Sequence, residues 1–181
     1  MQTSPPEKNQ YSNHKNSTAE SKLLKIEREF DVSVDQLFEA FSSLEELKIW
    51  WWPNGLFSDH IDCDFREGGK YFINMKGHVK GINGTGGMTG RYEEIIKNKR
   101  IVMTDFFADA QGNAISPEKA NMPGVWPEEI YITFDFESVD AHTSLFTLSQ
   151  QGIPNDMQQD CIQGWSESFD KLESYLNGRK L

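Results

Sequence analysis

A chain of 181 residues, 37% hydrophobic and 12% aromatic, has the length of one domain with a tail and can fill a sizeable core. Its formal charge of −10 argues against nucleic acid, whose phosphates it would repel, and against anionic lipid surfaces. A neutral or apolar small molecule in a cavity, or a basic protein partner, stays open.

Residues 1–21 are polar, with Pro5-Pro6 and repeated Asn and Ser, and read as a disordered tail without enough apolar area to offset ordering. Leu23 to Phe30 alternates, with Leu24, Ile26, Arg28 and Phe30 on one face of a strand. Arg28 is the anomaly there: it either reaches a carboxylate or water, or anchors a ligand in a cavity. Ser33-x-x-Gln36 and Ser43-x-x-Glu46 predict two successive capping boxes, opening short helices over Val34 to Phe41 and Leu44 to about Trp50. Trp50-Trp51-Trp52 follows; three consecutive indoles cannot all point the same way. Pro53 and Asn54-Gly55 mark the exit turn.

A strand over His60 to Phe65, with Ile61, Cys63 and Phe65 on one face, turns at Arg66-Glu67-Gly68-Gly69. It returns over Lys70 to Lys76, with Tyr71, Ile73 and Met75 on one face. Gly77 to Gly87 holds five glycines and reads as a flexible hairpin loop. It lacks the strand-to-helix context of a phosphate cradle. Strands over Thr89 to Lys97 and Ile101 to Phe107 are joined at Lys97-Asn98-Lys99. The stretch from Ala108 to Glu129 is long and irregular, as lids and binding loops often are, with Trp126 as its apolar anchor or as a plug for the core's end. Tyr131 to Val139 places Ile132, Phe134 and Phe136 inward, and Thr143 to Ser149 places Phe146 and Leu148 inward.

The last element is a long amphipathic helix. Met157, Cys161, Trp165, Phe169, Leu172 and Leu176 recur at helical spacing, with Asn155 or Asp156 as N-cap and Gly178 as a left-handed C-terminal residue. Such a stripe needs a broad apolar surface. The run of hairpins supplies one: an antiparallel sheet of about seven strands, solvated on one face, with the helices segregated to the other. The fold class is therefore α+β.

In this order the motifs resemble a known family. They are Arg28-Glu29-Phe30, Leu37-Phe38-Glu39-Ala40-Phe41, Trp50-Trp51 with Pro53, and Asp64-Phe65-Arg66-Glu67-Gly68-Gly69. Then come Gly90-Arg91-Tyr92-Glu93-Glu94-Ile95, Trp126-Pro127-Glu128-Glu129, Gly164-Trp165-Ser166-Glu167-Ser168, Leu172 and Tyr175-Leu176. The chain is similar to the domain family named for the activator of the ninety-kilodalton heat-shock chaperone's ATPase. That family belongs to the START-like, helix-grip superfamily, together with polyketide cyclases and plant allergen-type lipid binders. Trp52 departs from the pattern, standing where the family usually has a small residue, and Ser33-Val34 replaces a common Ala-Pro. The resemblance implies a curved antiparallel sheet wrapped on the long C-terminal helix, with a cavity between them. Residues 22–178 are then one helix-grip domain and 179–181 a C-terminal end. The resemblance carries no reaction, since fold is no warrant for chemistry.

The residues point first to a binding module for an apolar or amphipathic ligand. Phe65, Tyr71, Ile73, Ile132, Phe134, Phe146, Trp165 and Phe169 would wall its cavity, with Ile61. Trp51 and Trp126 would stand near the mouth, and Arg28, Tyr71 and Tyr92 would be the polar groups. Ordinary core packing is the competing reading for each wall residue. A second reading is a cyclase- or dehydratase-like enzyme using Arg28 with Tyr71 or Tyr92, which requires two ionisable groups converging in the pocket. A third, implied by the family name alone, is a chaperone-associated interaction domain. Homo-oligomer contact stays open.

His60 and His78 are the only histidines placed in strand or loop positions that could serve a triad. His60 has the parity of Asp62 and Asp64 on the solvent face, so no catalytic residue is assigned. No metal-ligand spacing occurs and no cofactor is expected. Cys63 and Cys161 are too few for a disulfide framework, and are expected as reduced apolar side chains or a thiol facing a cavity. No window approaches a membrane span and no secretory signal is visible, which makes a cytoplasmic location the default.

Overall fold

The computed structural model describes residues 23–79 and 82–179, so the tail expected over 1–21 lies outside it. In chain order the elements are β1 (Leu24–Phe30), α1 (Val34–Ser42), α2 (Leu44–Trp50), β2 (Leu56–Phe57), β3 (Ile61–Cys63), β4 (Lys70–Asn74) and β5 (Lys76–Val79). There follow β6 (Ile82–Asn83), β7 (Gly87–Ile96), β8 (Arg100–Ala108), β9 (Ile130–Ser138), β10 (Ser144–Gln151) and α3 (Gln158–Gly178). Seven strands form one antiparallel sheet in the order β1-β10-β9-β8-β7-β4-β3, as the alternating segments predict. The first strand pairs with the last, Arg28 opposite Phe146, so the sheet brings both ends of the domain together.

Gly77 to Gly87 is not wholly a loop. β5 and β6 lie in it and join β2 in a small second sheet. Gly77 permits this: its φ is +99°, and a Cβ there would fall 2.1 Å from the Gly55 carbonyl oxygen. In β7 the register with β8 shifts between Tyr92 and Glu94, a bulge that bends a strand and increases its local twist.

The apolar face of the sheet is dominated by phenylalanine. Phe134, Phe136 and Phe146 meet Phe41 of α1 at ring separations of 5.0–5.2 Å, and Phe146 meets Phe169 of α3 edge-on at 5.0 Å. Trp50 closes this cluster, fully buried, with its indole N–H donating to the Ala40 carbonyl at 3.0 Å.

Of the two expected capping boxes, one forms. Ser33 and Gln36 exchange both bonds at the start of α1. Ser43 makes no side-chain cap, because it is shared: its N–H closes α1 on the Glu39 carbonyl while its own carbonyl opens α2. Glu46 is drawn instead to Arg179, whose Nη1 lies 2.7 Å from its carboxylate. The ends of α3 also differ from expectation. A 3-10 turn over Asn155–Met157 precedes the helix, Met157 is the N-cap without a side-chain bond, and Gly178 is the last helical residue. The expected apolar stripe is present but unevenly covered. Phe169, Leu172 and Leu176 are buried, whereas Met157, Cys161 and Trp165 are half-buried. The C-terminal half of α3 therefore sits on the phenylalanine core, and its N-terminal half faces a pocket.

Candidate functional pocket

That pocket has a volume of about 190 Å³. The N-terminal half of α3 forms one wall through Cys161, Gly164, Trp165 and Ser168. The segment after α2 forms a second through Trp51, Trp52 and Pro53. Met88, Asp105, Phe107, Ile130 and Gln150 form the floor, joined by Ile153, and Trp126 comes from the long loop between β8 and β9.

The three consecutive tryptophans diverge as their spacing requires. Trp50 enters the core, Trp51 meets Trp165 edge-on at 5.5 Å, and Trp52 directs its N–H to Ser58 Oγ and the Asn74 carbonyl. The segment holding them is fixed to α3. Ser168 Oγ donates to the Trp51 carbonyl at 3.0 Å, the Asn54 N–H donates to Glu167 at 3.1 Å, and Gly164 leaves the helix backbone bare beside Pro53. The Gly-Trp-Ser-Glu-Ser run thus acts partly as a fastener for the tryptophan segment. The long loop is fastened too. Trp126 packs edge-on against Phe107 at 5.4 Å and donates its N–H to the Pro123 carbonyl at 2.6 Å, while its neighbour Val125 is 79% exposed.

Of the residues expected at a cavity, Trp51, Trp126 and Trp165 line this one. Phe134, Phe146 and Phe169 are packed on one another, and Ile132 and Ile73 are fully buried, so they belong to the solid core. Phe65 lies farther along the sheet against Phe38 and Tyr92. Tyr92 is buried with its hydroxyl 3.1 Å from Cys63 Sγ. Arg28 is not in the pocket: it pairs with Asp170 and, at 3.0 Å, with Glu173 on the outer side of α3. Its reach for carboxylates outweighs burial, because a guanidinium on a strand edge can meet both helix acids without losing water entirely. His60 bonds Asp62 at the surface. Among the described residues no cluster of His, Cys, Asp and Glu could hold a metal ion.

The polar feature of the pocket is one that motif reading passed over. Asp105 is 3% exposed, on β8, with its carboxyl on the floor. Strand parity could have found it: Ile101, Met103 and Phe107 are buried, and Asp105 shares their face. Behind it stands Tyr71, whose hydroxyl is 2.6 Å from Asp105 Oδ1 and 2.7 Å from the Thr104 carbonyl oxygen. Gly90 makes this approach possible, since a Cβ there would lie 2.9 Å from the Tyr71 hydroxyl and 1.9 Å from the Thr104 oxygen. A phenol has one proton, and both of its neighbours here are oxygens. Both short contacts become hydrogen bonds when Asp105 is protonated and donates to Tyr71, which then donates to Thr104. Burial acts in the same direction, raising the Asp105 pKa to about 7 against the opposing effect of the Tyr71 bond. The Tyr71 hydroxyl is itself pushed well above its ordinary range, by burial first and then by Asp105. Burial, with a lesser contribution from Asp160, raises the Cys161 thiol to about 11, which makes it a poor nucleophile.

Comparison with known proteins gives a consistent result. The family model described as Activator of Hsp90 ATPase homolog 1-like protein matches residues 31–177. Among solved structures, an AHSA1 protein from Silicibacter pomeroyi is similar over 87% of this chain and 99% of its own, at 24% identity and a TM-score of 0.67. A Chromobacterium violaceum protein is similar over 85% and 96%, at 23% identity and a TM-score of 0.65. A Nitrosomonas europaea protein is similar over 87% and 96%, at 18% identity and a TM-score of 0.68. At these identities the likeness establishes the helix-grip fold. No curated protein matches the chain at a significant level.

Proposed function

The chain belongs to the Activator of Hsp90 ATPase homolog 1-like family, and from that premise we propose that it binds a small, largely apolar molecule in the pocket under α3. The carrying observation is a cavity of about 190 Å³ walled by Trp51, Trp126 and Trp165 and floored by one buried carboxyl. It is slightly larger than an engineered apolar cavity of about 150 Å³ that takes up benzene. The occupant is therefore a compact molecule or the end group of a longer one.

The geometry favours binding over a cyclase-like reaction. Asp105 faces the pocket, but Tyr71 stands behind it, and Arg28 is engaged elsewhere, so the acid–base pair that reaction needs does not converge there. A chaperone partner rests on the family description alone.

Four tryptophans in the walls, Trp51, Trp52, Trp126 and Trp165, provide the readout. Benzene or another compact apolar probe is expected to change indole fluorescence and to raise the melting temperature as ligand concentration rises. Trp165→Ala should weaken both responses. If neither fluorescence nor melting responds to any compact apolar probe, the pocket is closed to ligands and the proposal fails.

A further inference from the structure

Resting on that reading, we propose that the pocket selects a small organic cation, an alkylammonium group about the size of choline, with Asp105 as its counter-ion and the indoles of Trp51, Trp126 and Trp165 as its walls.

The distribution of charge in the molecule supports this. Elsewhere cations and acids find each other: Arg28 meets Asp170 and Glu173, Arg100 meets Asp135, and Arg179 meets Glu46. Asp105 is more buried than any of those acids, yet among the described residues no cation pairs with it. None of the residues lining the pocket is Lys, Arg or His. A carboxylate or phosphate ligand would find no cation in the lining to offset its loss of water, and ionised Asp105 would repel it. A cation would find its complement.

The walls suit such a ligand. Trp126 spends its N–H on Pro123, Trp165 on Gln150 and Trp52 on Ser58 and Asn74, and Gln150 spends its carbonyl oxygen in the same exchange. Ser168 spends its hydroxyl on backbone carbonyls. The Trp126, Trp165 and Trp52 indoles therefore offer carbon and π surface rather than hydrogen bonds. A neutral polar ligand gains little from that, whereas a weakly hydrated cation gains from an aromatic enclosure.

Binding is coupled to a proton. Without a cation nearby, Asp105 keeps the proton that it donates to Tyr71 below about pH 7. A bound cation favours the carboxylate, so the proton leaves to solvent and Tyr71 donates to Asp105 in its place. The titratable groups facing Asp105 are Tyr71 from β4 and, across the pocket, Cys161 from α3, with Tyr92 and Cys63 behind Tyr71. Burial raises all four, so they stay protonated between pH 6 and 8. The strand neighbours of Asp105 on β7 and β9 are Gly90 and Ile130, which carry no charge.

Choline is the test ligand because its charge does not titrate. Its neutral isostere, 3,3-dimethylbutan-1-ol, has the same shape. Calorimetry or indole fluorescence should give choline an affinity roughly tenfold weaker at pH 6 than at pH 8, since protonated Asp105 must first ionise. The alcohol should bind more weakly than choline at pH 8 and show no such slope. Asp105→Asn, which mimics the protonated acid, should lose choline at pH 8 while keeping the alcohol. If the alcohol binds as tightly as choline at pH 8, or choline shows no pH slope in the wild-type protein, the cation is wrong and the apolar pocket stands. If neither binds at any pH, this inference falls, and the benzene titration decides separately whether the pocket reading falls with it.

Discussion

Asp105 occupies a position where strand alternation places Ile101, Met103 and Phe107, and its chemistry follows from that company. Its folded pKa of about 7 stands above the ordinary 3.8, so the folded state holds this proton more tightly than the unfolded chain does. The associated stability is fully present below about pH 4 and is lost as pH rises through about 7, on the order of 4 kcal/mol in all. Asp105→Asn removes that loss. Melting curves at pH 5 and pH 8 should show the variant gaining on the wild type at the higher pH, and an unchanged difference would mean that Asp105 is ionised throughout. Gly90 is the neighbouring test. A methyl group there would strike the Thr104 carbonyl and crowd the Tyr71 hydroxyl. Gly90→Ala should cost about 1–3 kcal/mol in denaturant unfolding.

Helix ends and helix faces show where local rules hold. Ser33 caps α1 with a complete box, so Ser33→Ala should cost about 1 kcal/mol. Ser43 bonds nothing with its side chain, and Ser43→Ala should fall within about 0.5 kcal/mol of the wild type. Equal losses from the two would contradict the single box. Along α3 the same contrast appears on a larger scale. Phe169 is fully buried among Phe146, Trp50 and Trp165, and Phe169→Ala should cost about 3–5 kcal/mol. Trp165→Ala should cost less stability and more ligand affinity, because that ring is half-buried and lines the pocket.

Across the whole molecule, the long helix is fastened at its middle and at its C-terminal end to elements far away in sequence. Ser168 and Glu167 hold the tryptophan segment, and Arg179 reaches Glu46 and Glu39 at the foot of α1 and α2. Burial raises the Glu46 pKa and Arg179 opposes that rise. Arg179→Met therefore pushes the folded pKa of Glu46 higher still, and its stability contribution is lost as pH rises. The variant should be destabilised more at pH 8 than at pH 5, by about 1–3 kcal/mol at pH 8 given that Arg179 is partly solvated. Melting at the two pH values reads it directly. Among the described residues no helix is long and apolar enough to cross a membrane.

The sequence by itself determined the elements, the antiparallel sheet and the helix that covers it, because periods of two and of nearly four are properties of neighbouring residues. It also carried the family, through motifs such as Gly164 to Ser168 and the tryptophan run. Only the tertiary structure decided which aromatic rings pack solid and which leave a gap. Phe169 shares the helical spacing of Trp165, and Phe134 and Phe146 share the inward parity of their strands, but whether facing rings meet depends on how closely the segment at Trp51 and the loop at Trp126 approach α3. Arg28 and Asp105 make the same point from opposite sides. Each is a charge on an apolar strand face, and only the neighbours brought by the fold give one two carboxylates and leave the other facing a pocket of indoles.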